Sequence, residues 1–391
     1  MKILVLGAGR MGFGAAFDLA RNSEPAEIVT IADRDHELAA AAAEKIGPPV
    51  APAAIDVADY AAVKDLMCDY DAAISCVNYW FNESLARAAI EAQTHFCDLG
   101  GNNSVVDAEL RLDDEARKAG ISVIPDCGLA PGMVSILAMH GANRFDQLEI
   151  INIRVGGLPQ KPKPPLDYQL VFSVEGLINE YVERARLIRD SAITEVDSMT
   201  ELEPIEFEGF PPLEAFQTSG GTSTLPETFL GRVKELDYKT IRYRGHCERF
   251  KAMIDLGLCS SEEIFVDYQK IRPRAVFSAL LAKYLPTDGP DYVLVRCEFK
   301  GMQAGIRKHL RYDIVDKFDE LSGLSAMMRT TGFPAAIIAR MMVRGEVSRR
   351  GATPQELAIN PEKFVTELSK RGINIREQYI FEPASAFRSI E

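Results

Sequence analysis

The first twelve residues, MKILVLGAGRMG, constrain this chain more than any other stretch. Ile3, Leu4, Val5 and Leu6 form a short unbroken apolar run. Such a run suits a strand buried on both faces of a parallel sheet. Gly7, Gly9 and Gly12 follow at the spacing of the dinucleotide fingerprint, with Arg10 and Met11 between them. Ala15, Ala16, Phe17, Leu19 and Ala20 then continue at helical spacing. In such a turn the first glycine permits a tight bend and the second lets the backbone approach a pyrophosphate. The third brings the helix close to the strand. The helix start offers free N–H groups and a positive dipole end to the phosphates. A second strand-like run, Glu27 to Ala32, ends at Asp33. That acid lies about 20 residues past the last glycine, where this fold places the carboxylate that binds the adenosine ribose. Glycine-rich strand-to-helix turns also occur without a cofactor, and it is Asp33 that tips this one toward a nucleotide.

The chain has 391 residues, enough for two domains with large cores. Its net charge of −13 argues against a nucleic-acid or anionic-membrane partner. It leaves room for a small anionic substrate held by a few local arginines. The seven cysteines are scattered, without metal-ligand or redox-pair spacing. Reduced thiols in the cytoplasm are the simplest reading. Met1 leads straight into the first strand, so no signal peptide is expected. No apolar run reaches membrane-spanning length. His36, His95, His140, His246 and His309 do not pair with cysteines or acids at ligand spacing, and no metal is expected.

The first third alternates short apolar runs with helical segments, the pattern of a parallel sheet with crossover helices. Leu38 to Ile46 reads as a helix, Val50 to Ile55 as a strand ending at Asp56 and Val57, and Tyr60 to Cys68 as a helix. Ala72 to Val77 is a strand that delivers Cys76, Val77 and Asn78 to its end. Glu83 to Ala92 is a helix, and His95 to Leu99 a strand followed by Gly100 and Gly101. Asp107 to Ala119 reads as one helix stopped by Gly120, and Ile121 to Ile124 as a sixth strand followed by Asp126. Ligands of doubly wound sheets bind outside the carboxyl ends of the strands. Cofactor candidates are therefore Gly7, Gly9, Arg10, Met11, Gly12, Asp33, Arg34, Asp56, Val57, Cys76, Val77, Asn78, Leu99 and Gly100. Asp33 favours NAD over NADP, because a 2′-phosphate would meet its charge, although Arg34 beside it partly offsets this.

From Gln147 the pattern changes. Leu148 to Val155 reads as a strand, Gly156 to Pro165 as a loop and Phe172 to Tyr181 as a helix. Ile205 to Phe210 reads as a short strand. Ala215 to Leu225 holds the polar segment TSGGTSTL, and Tyr238 to Phe250 reads YKTIRYRGHCERF, starting as a strand. Asp291 to Lys300 and His309 to Lys317 read as a hairpin. This section predicts an α+β substrate domain with a mostly antiparallel sheet. Ser325 to Val343 is an apolar helix interrupted at Gly332 and Pro334, expected to return to the nucleotide domain. One more helix follows at Pro361 to Lys370. The expected division is a Rossmann doubly wound domain over residues 1–130, completed by 323–391, with a substrate and oligomerisation domain inserted at 131–322.

Five stretches together resemble the saccharopine dehydrogenase-like family, and within it the lysine 6-dehydrogenase group. They are VLGAGRMG with Asp33, NYWFNESLARAAIEAQTHFCDLGG, IPDCGLAPGMVSIL, PLEAFQTSGGTSTL with YKTIRYRGH, and the late RTTGFPAAIIA. The third and fourth carry most of the weight. The resemblance implies an inserted substrate domain and a homo-oligomer. It also implies NAD-dependent oxidative deamination of the lysine side-chain amine to allysine and ammonia. A saccharopine-type reductase acting on a lysine-derived secondary amine, and a nucleotide-binding regulator without turnover, are the alternatives.

That reaction needs a neutral amine when hydride leaves, hence a base. Asp126, after the sixth strand, is the first candidate, with turn capping as its other use. Asp98 is the rival, and His246 suits base chemistry near neutrality. The substrate carboxylate needs a cation, and guanidinium binds carboxylate through two parallel bonds. Arg242 and Arg244 are two apart and would share a face of a strand. Thr222 could add a hydroxyl contact, Tyr168 could line the pocket, and Tyr79 lies where a nicotinamide or substrate should sit. A second, dicarboxylic arm would need further cations, for which Lys161, Lys163, Arg184, Arg186 and Arg189 are at hand.

Overall fold

A computed structural model describes residues 1–24 and 26–380. It divides into two compact units. One joins Met1–Ile136 to Lys317–Ile373; the other joins Leu137–Asp316 to the stretch from Asn374.

The first unit is built on a parallel sheet. Its strands β1 (Lys2–Leu6), β2 (Ile28–Asp33), β3 (Val50–Ala54), β4 (Ala72–Ser75), β5 (His95–Asp98) and β6 (Ser122–Ile124) are short. A two-residue strand at Gly351–Ala352 completes the set. Their spatial order is Gly351–Ala352, β6, β5, β4, β1, β2, β3. The order reverses direction between β1 and β4, the switch point at which such sheets bind nucleotides. Ile3, Leu4, Val5 and Leu6 are fully buried, as a strand covered on both faces requires.

Helix Ala326–Val343 covers the face of β4 and β5 and crosses the helix Arg10–Arg21 that follows β1. It runs through Gly332 and Pro334 without a break, which corrects the expected interruption. Gly332 is where the two helices meet. A Cβ there would stand 2.7 Å from Ala15 N, and one on Gly14 would stand 2.8 Å from Met328 O. Pro334 forfeits only one helical hydrogen bond. Arg340 donates to Leu19 O across the crossing at 2.9 Å, and each helix also carries one member of a buried ion pair. Arg340 holds Glu27 at 3.1 Å, and Arg371 holds Asp18 at 2.6 Å. The stretch read as one helix from Asp107 to Ala119 is two, Asn103–Leu110 and Asp113–Ala119. Asn102 caps the first by accepting from Ser104 N and Val105 N.

The second unit is organised by a nine-stranded mixed sheet. The long strand Gln147–Pro159 pairs antiparallel with Asp291–Gln303 and parallel with Glu235–Tyr243. Asp291–Gln303 and Ile306–Lys317 are the expected hairpin. Strand Arg376–Tyr379 extends it, pairing with Leu310–Asp313. Residues from Asn374 therefore group with the second unit rather than with the nucleotide sheet, and 381–391 lie outside the described residues. Only Glu203–Ile205 is strand where Ile205 to Phe210 was expected. Helix Val174–Val182 and helix Pro273–Tyr284 pack beside the sheet, where Tyr168, Tyr181, Phe216, Phe250 and Phe277 form a shared aromatic core.

Candidate functional site

In the first unit the glycine turn has the shape a pyrophosphate needs. Gly7 takes a φ of +101°, open to glycine at no steric cost, and its N–H donates to Ala32 O. A Cβ on Gly12 would overlap the Gly7 carbonyl, whereas one on Gly9 would meet nothing within 4 Å. The third glycine is thus fixed by packing and the second by the open approach above it. The helix from Arg10 has no side-chain cap hydrogen bond from Gly9, and its N-terminal dipole end favours an anion. Cys76 O would lie 2.9 Å from a Cβ on Gly7, and Val77 Cγ1 3.1 Å from it. The ends of β1 and β4 therefore come together, bringing Cys76 and Val77 to the turn, with Asn78 exposed just beyond. One Asp33 oxygen accepts from Ala8 N at 2.8 Å and the other from Asp35 N at 3.0 Å. Asp33 so ties the end of β2 to the turn, and Arg34 beside it is exposed. Asp56 is exposed and accepts from Ala58 N, while Val57 packs against the sheet's core.

A second group of residues gathers at the ends of β5 and β6. Asp98 Oδ1 accepts from Gly100 N at 2.6 Å and Asp126 N at 3.3 Å, and its carbonyl accepts from Cys127 N. Asp126 has a φ of +61° and is buried. A Cβ on Gly100 would overlap its carboxylate. Glu109, on helix Asn103–Leu110, is also fully buried and faces Asp98. Two carboxyls buried this close together disfavour being charged at the same time. Burial, then the charge of Asp98, raises Glu109 well above the ordinary range, so the proton resides there. Burial likewise lifts Asp98 to about 6, against its bonds from the Gly100 and Asp126 amides. Glu109 escaped the sequence reading because an acid in a polar helix ordinarily marks a solvated face. Leu99 is partly buried, its carbonyl 3.2 Å from where a Cβ on Gly128 would stand. Tyr79, in a short turn with Trp80, is packed against Gly101.

In the second unit, Tyr238, Thr240 and Arg242 alternate along strand Glu235–Tyr243 and share one face. Arg242 is 4% exposed. Its Nε donates to the Tyr181 hydroxyl at 2.9 Å and its Nη1 to Ile241 O. Its guanidinium carbon lies 4.8 Å from the Tyr168 ring centroid and 5.8 Å from that of Tyr181. The Tyr181 hydroxyl in turn donates to His246 Nε2 at 3.1 Å, and His246 Nδ1 donates to Leu166 O at 2.9 Å. One directed hydrogen-bond chain thus runs from Arg242 through Tyr181 and His246 to the backbone. This corrects the reading of His246 as a base. Both its nitrogens are committed, and burial, then Arg242, pushes its pKa down to about 3. It positions Tyr181, and through it Arg242.

Tyr168 is fully buried, and its hydroxyl has no hydrogen-bond partner among the described residues. Arg244 stands exposed one residue past the strand and does not join Arg242, because the alternation ends at Tyr243. Thr222 donates its hydroxyl to Arg186 O at 2.8 Å and serves the loop. Glu180, the residue before Tyr181, was not singled out from sequence. It is only partly exposed, and burial lifts it to about 7 against the pull of Arg242. No group of acids, histidines and cysteines among the described residues is arranged to hold a metal. No helix of the described residues is long and apolar enough to cross a membrane.

The chain spans 48% and 60% of the length of two fungal relatives that it matches. These are saccharopine dehydrogenases [NADP(+), L-glutamate-forming] of Pyricularia oryzae and Saccharomyces cerevisiae. The first is 28% identical across 54% of this chain and the second 27% across 68%. A carboxynorspermidine synthase of Vibrio cholerae is 23% identical, covering 95% of this chain and 96% of its own. The structure of apo saccharopine dehydrogenase (L-Glu forming) from Saccharomyces cerevisiae has the same fold. It superposes with a TM-score of 0.80 at 21% identity, over 97% of this chain and 100% of that one. Residues 3–124, which carry the glycine turn and Asp33, match the Saccharopine dehydrogenase NADP binding domain. Residues 128–373, which carry the Arg242 chain, match the Saccharopine dehydrogenase C-terminal domain. With both halves matched in order, the chain belongs to the saccharopine dehydrogenase family of oxidoreductases.

Proposed function

We propose that the chain catalyses NAD-dependent oxidative deamination of the side-chain amine of L-lysine, giving allysine, which cyclises to a piperideine carboxylate, and ammonia. The observation that carries this reading is Arg242. It is a buried guanidinium with no carboxylate within ion-pair distance among the described residues, oriented from behind by Tyr181. An unpaired buried cation is costly, and a substrate carboxylate offsets that cost. Of the cations that a second, dicarboxylic arm would need, Lys161 and Lys163 stand exposed, and the three arginines are engaged elsewhere. Arg184 pairs with Glu195 and Asp197, Arg186 with Glu227, and Arg189 with Glu201. That supports a substrate with one carboxylate over a saccharopine-type secondary amine.

NAD, when bound, supplies the hydride acceptor. The glycine turn and the uncapped helix start hold its pyrophosphate, and Asp33 its ribose. Asp126 takes the proton from the substrate ammonium, so that the lone pair can form the imine as hydride leaves. Asp98 and Glu109 hold a proton beside it, at the carboxyl end of the sheet. Water then adds to the imine and ammonia departs. The charge of Asp33 supports NAD over NADP, although the curated relatives of Pyricularia oryzae and Saccharomyces cerevisiae are named for NADP.

The test is NADH formation and product analysis with L-lysine and NAD. Ammonia release supports the reading, whereas glutamate release from saccharopine, with no turnover of lysine, sinks it. Binding of NAD without NADH from any amino acid would point to a regulator. Asp126→Asn should cut turnover far more than NAD binding. Arg242→Ala should raise the lysine requirement with NAD affinity nearly intact. The implied homo-oligomer is read by light scattering on the eluting protein.

A further inference from the structure

Residues 264–271 form a hairpin that belongs to neither large sheet. Strand Ile264–Val266 pairs antiparallel with Gln269–Ile271, and with no other strand among the described residues. A two-stranded hairpin alone is marginally stable in water at best. Ile264 and Val266 on one face and Phe265 on the other are all exposed. The two residues of the turn, Asp267 and Tyr268, have φ values of +48° and +63°, both positive as in the type I′ turn. The second position of that turn favours glycine, and a bulky side chain there is strained. Tyr268 is also wholly exposed. A strained, bare aromatic at the tip of an unsupported hairpin adds nothing to this chain's own core and points to a surface that covers it.

The helix that follows supplies such a surface. Helix Pro273–Tyr284 buries Phe277 and Leu281 in the aromatic core of the unit. Its outer side carries Val276, Leu280 and Tyr284, four residues apart and all exposed. A helix apolar around most of its circumference is ordinarily covered on all sides. Charge is sorted between the two elements. The hairpin segment holds Glu262, Glu263 and Asp267 against Lys270, which pairs with Glu263. The helix holds no acid and carries Arg274 and Lys283, with Arg272 just before it. An acidic apolar hairpin beside a basic apolar helix is self-complementary, as a two-fold contact requires. Those seven apolar side chains expose roughly 900 Å², at about 200 Å² for a whole large one, and a standard interface covers about 800 Å² per partner. We propose that this face binds a second copy of the chain about a two-fold axis. Each hairpin lies across the outer stripe of the partner's helix, its tip, Asp267 and Tyr268, against the Lys283 end. Tyr268 is the anchor, a residue type enriched at such positions. The interface helix also braces helix Val174–Val182, which carries Tyr181, because Arg274 donates to Glu175 and Asn179. The contact does not depend on which amine the site takes.

The test is the mass of the full chain by sedimentation equilibrium across a range of concentrations. Interfaces of this size hold at about 1 µM or tighter, so at about 10 µM the wild type should have twice the mass of the chain. Tyr268→Gly gives the turn the residue it favours and removes the anchor. It should weaken self-association at least about 30-fold, with NAD binding and the circular dichroism spectrum unchanged. Lys283→Glu should dissociate the dimer by setting like charges together, and adding Asp267→Lys should restore it, because each hairpin meets the partner's helix. A wild type that stays monomeric overturns the proposal and leaves the face to a different partner. So does an assembly whose mass neither Tyr268→Gly nor Lys283→Glu changes, which would place its interface elsewhere. So does failure of Asp267→Lys to restore what Lys283→Glu breaks.

Discussion

Replacing His246 by glutamine should remove an acid-sensitive step from folding. The ring is 1% exposed, and its two nitrogens already have defined roles, Nδ1–H as donor to Leu166 O and Nε2 as acceptor from Tyr181. Protonation would put a hydrogen on Nε2 facing a hydroxyl that donates to it, and a second positive charge beside Arg242. Burial and Arg242 hold the folded pKa at about 3. An unfolded histidine titrates near 6.5. Between those values the unfolded chain binds more protons, so stability from the neutral ring is complete above about pH 6.5 and is lost as pH falls toward 3. At about 1.4 kcal/mol per pH unit, the loss from about pH 8 to about pH 4.5 is about 2.7 kcal/mol. Glutamine keeps a donor and an acceptor but does not titrate. Urea unfolding of both proteins across that pH range gives the difference between them, in which titrations common to both cancel. The wild type should lose about 2.7 kcal/mol relative to His246→Gln over that range. A difference that stays flat with pH, or an NMR titration of His246 with its midpoint near 6.5, refutes the argument.

Gly332→Ala puts a methyl 2.7 Å from Ala15 N. The overpacking costs about 1–3 kcal/mol, against a helix-propensity gain of up to about 1, so thermal unfolding should show a net loss. A rise in Tm would mean that the helices can part freely. Arg340→Met leaves Glu27 fully buried without its cation, a loss of about 3–5 kcal/mol. Adding Glu27→Gln should recover part of that loss in denaturant titrations, and no recovery would place the effect in packing instead. Asp33→Ser should raise the NADP-to-NAD ratio of kcat/KM, with Arg34 exposed to meet a 2′-phosphate. Because Asp33 also holds Ala8 N, KM for both cofactors should rise; an unchanged ratio would remove Asp33 from cofactor choice.

The nucleotide sheet was legible because its signals are local. An apolar run, a glycine spacing and an acid at the next strand's end all lie within the first 33 residues. Arg242 was legible for a similar reason, since its alternation with Ile241 and Tyr243 marks a strand face. Arg244 misled because that alternation gives no sign of where the strand stops. Glu180 and Glu109 were illegible. Each sits in a helix whose sequence suits a solvated acid, and the groups that surround it come from other elements. His246 looked like a base because a sequence shows a titratable ring but not the two partners that fix its tautomer. The hairpin Ala185–Arg189 and Ala192–Val196 was missed in a stretch rich in charge, where its exposed side chains mask the buried Leu187 and Ile188.

The discontinuity of the first unit has a consequence for synthesis on the ribosome. Helix Ala326–Val343 covers β4 and β5, yet it follows Ile136 by nearly 200 residues of chain. At about 5–20 residues per second, that interval is roughly 10–40 s. Throughout it, the nascent sheet lacks one of its cover helices, and the emerging glycine contact at Gly14 has no mate. The second unit is synthesised whole inside that window, apart from its strand Arg376–Tyr379. The nascent nucleotide sheet is therefore the natural client for a holding chaperone until Ala326–Val343 emerges.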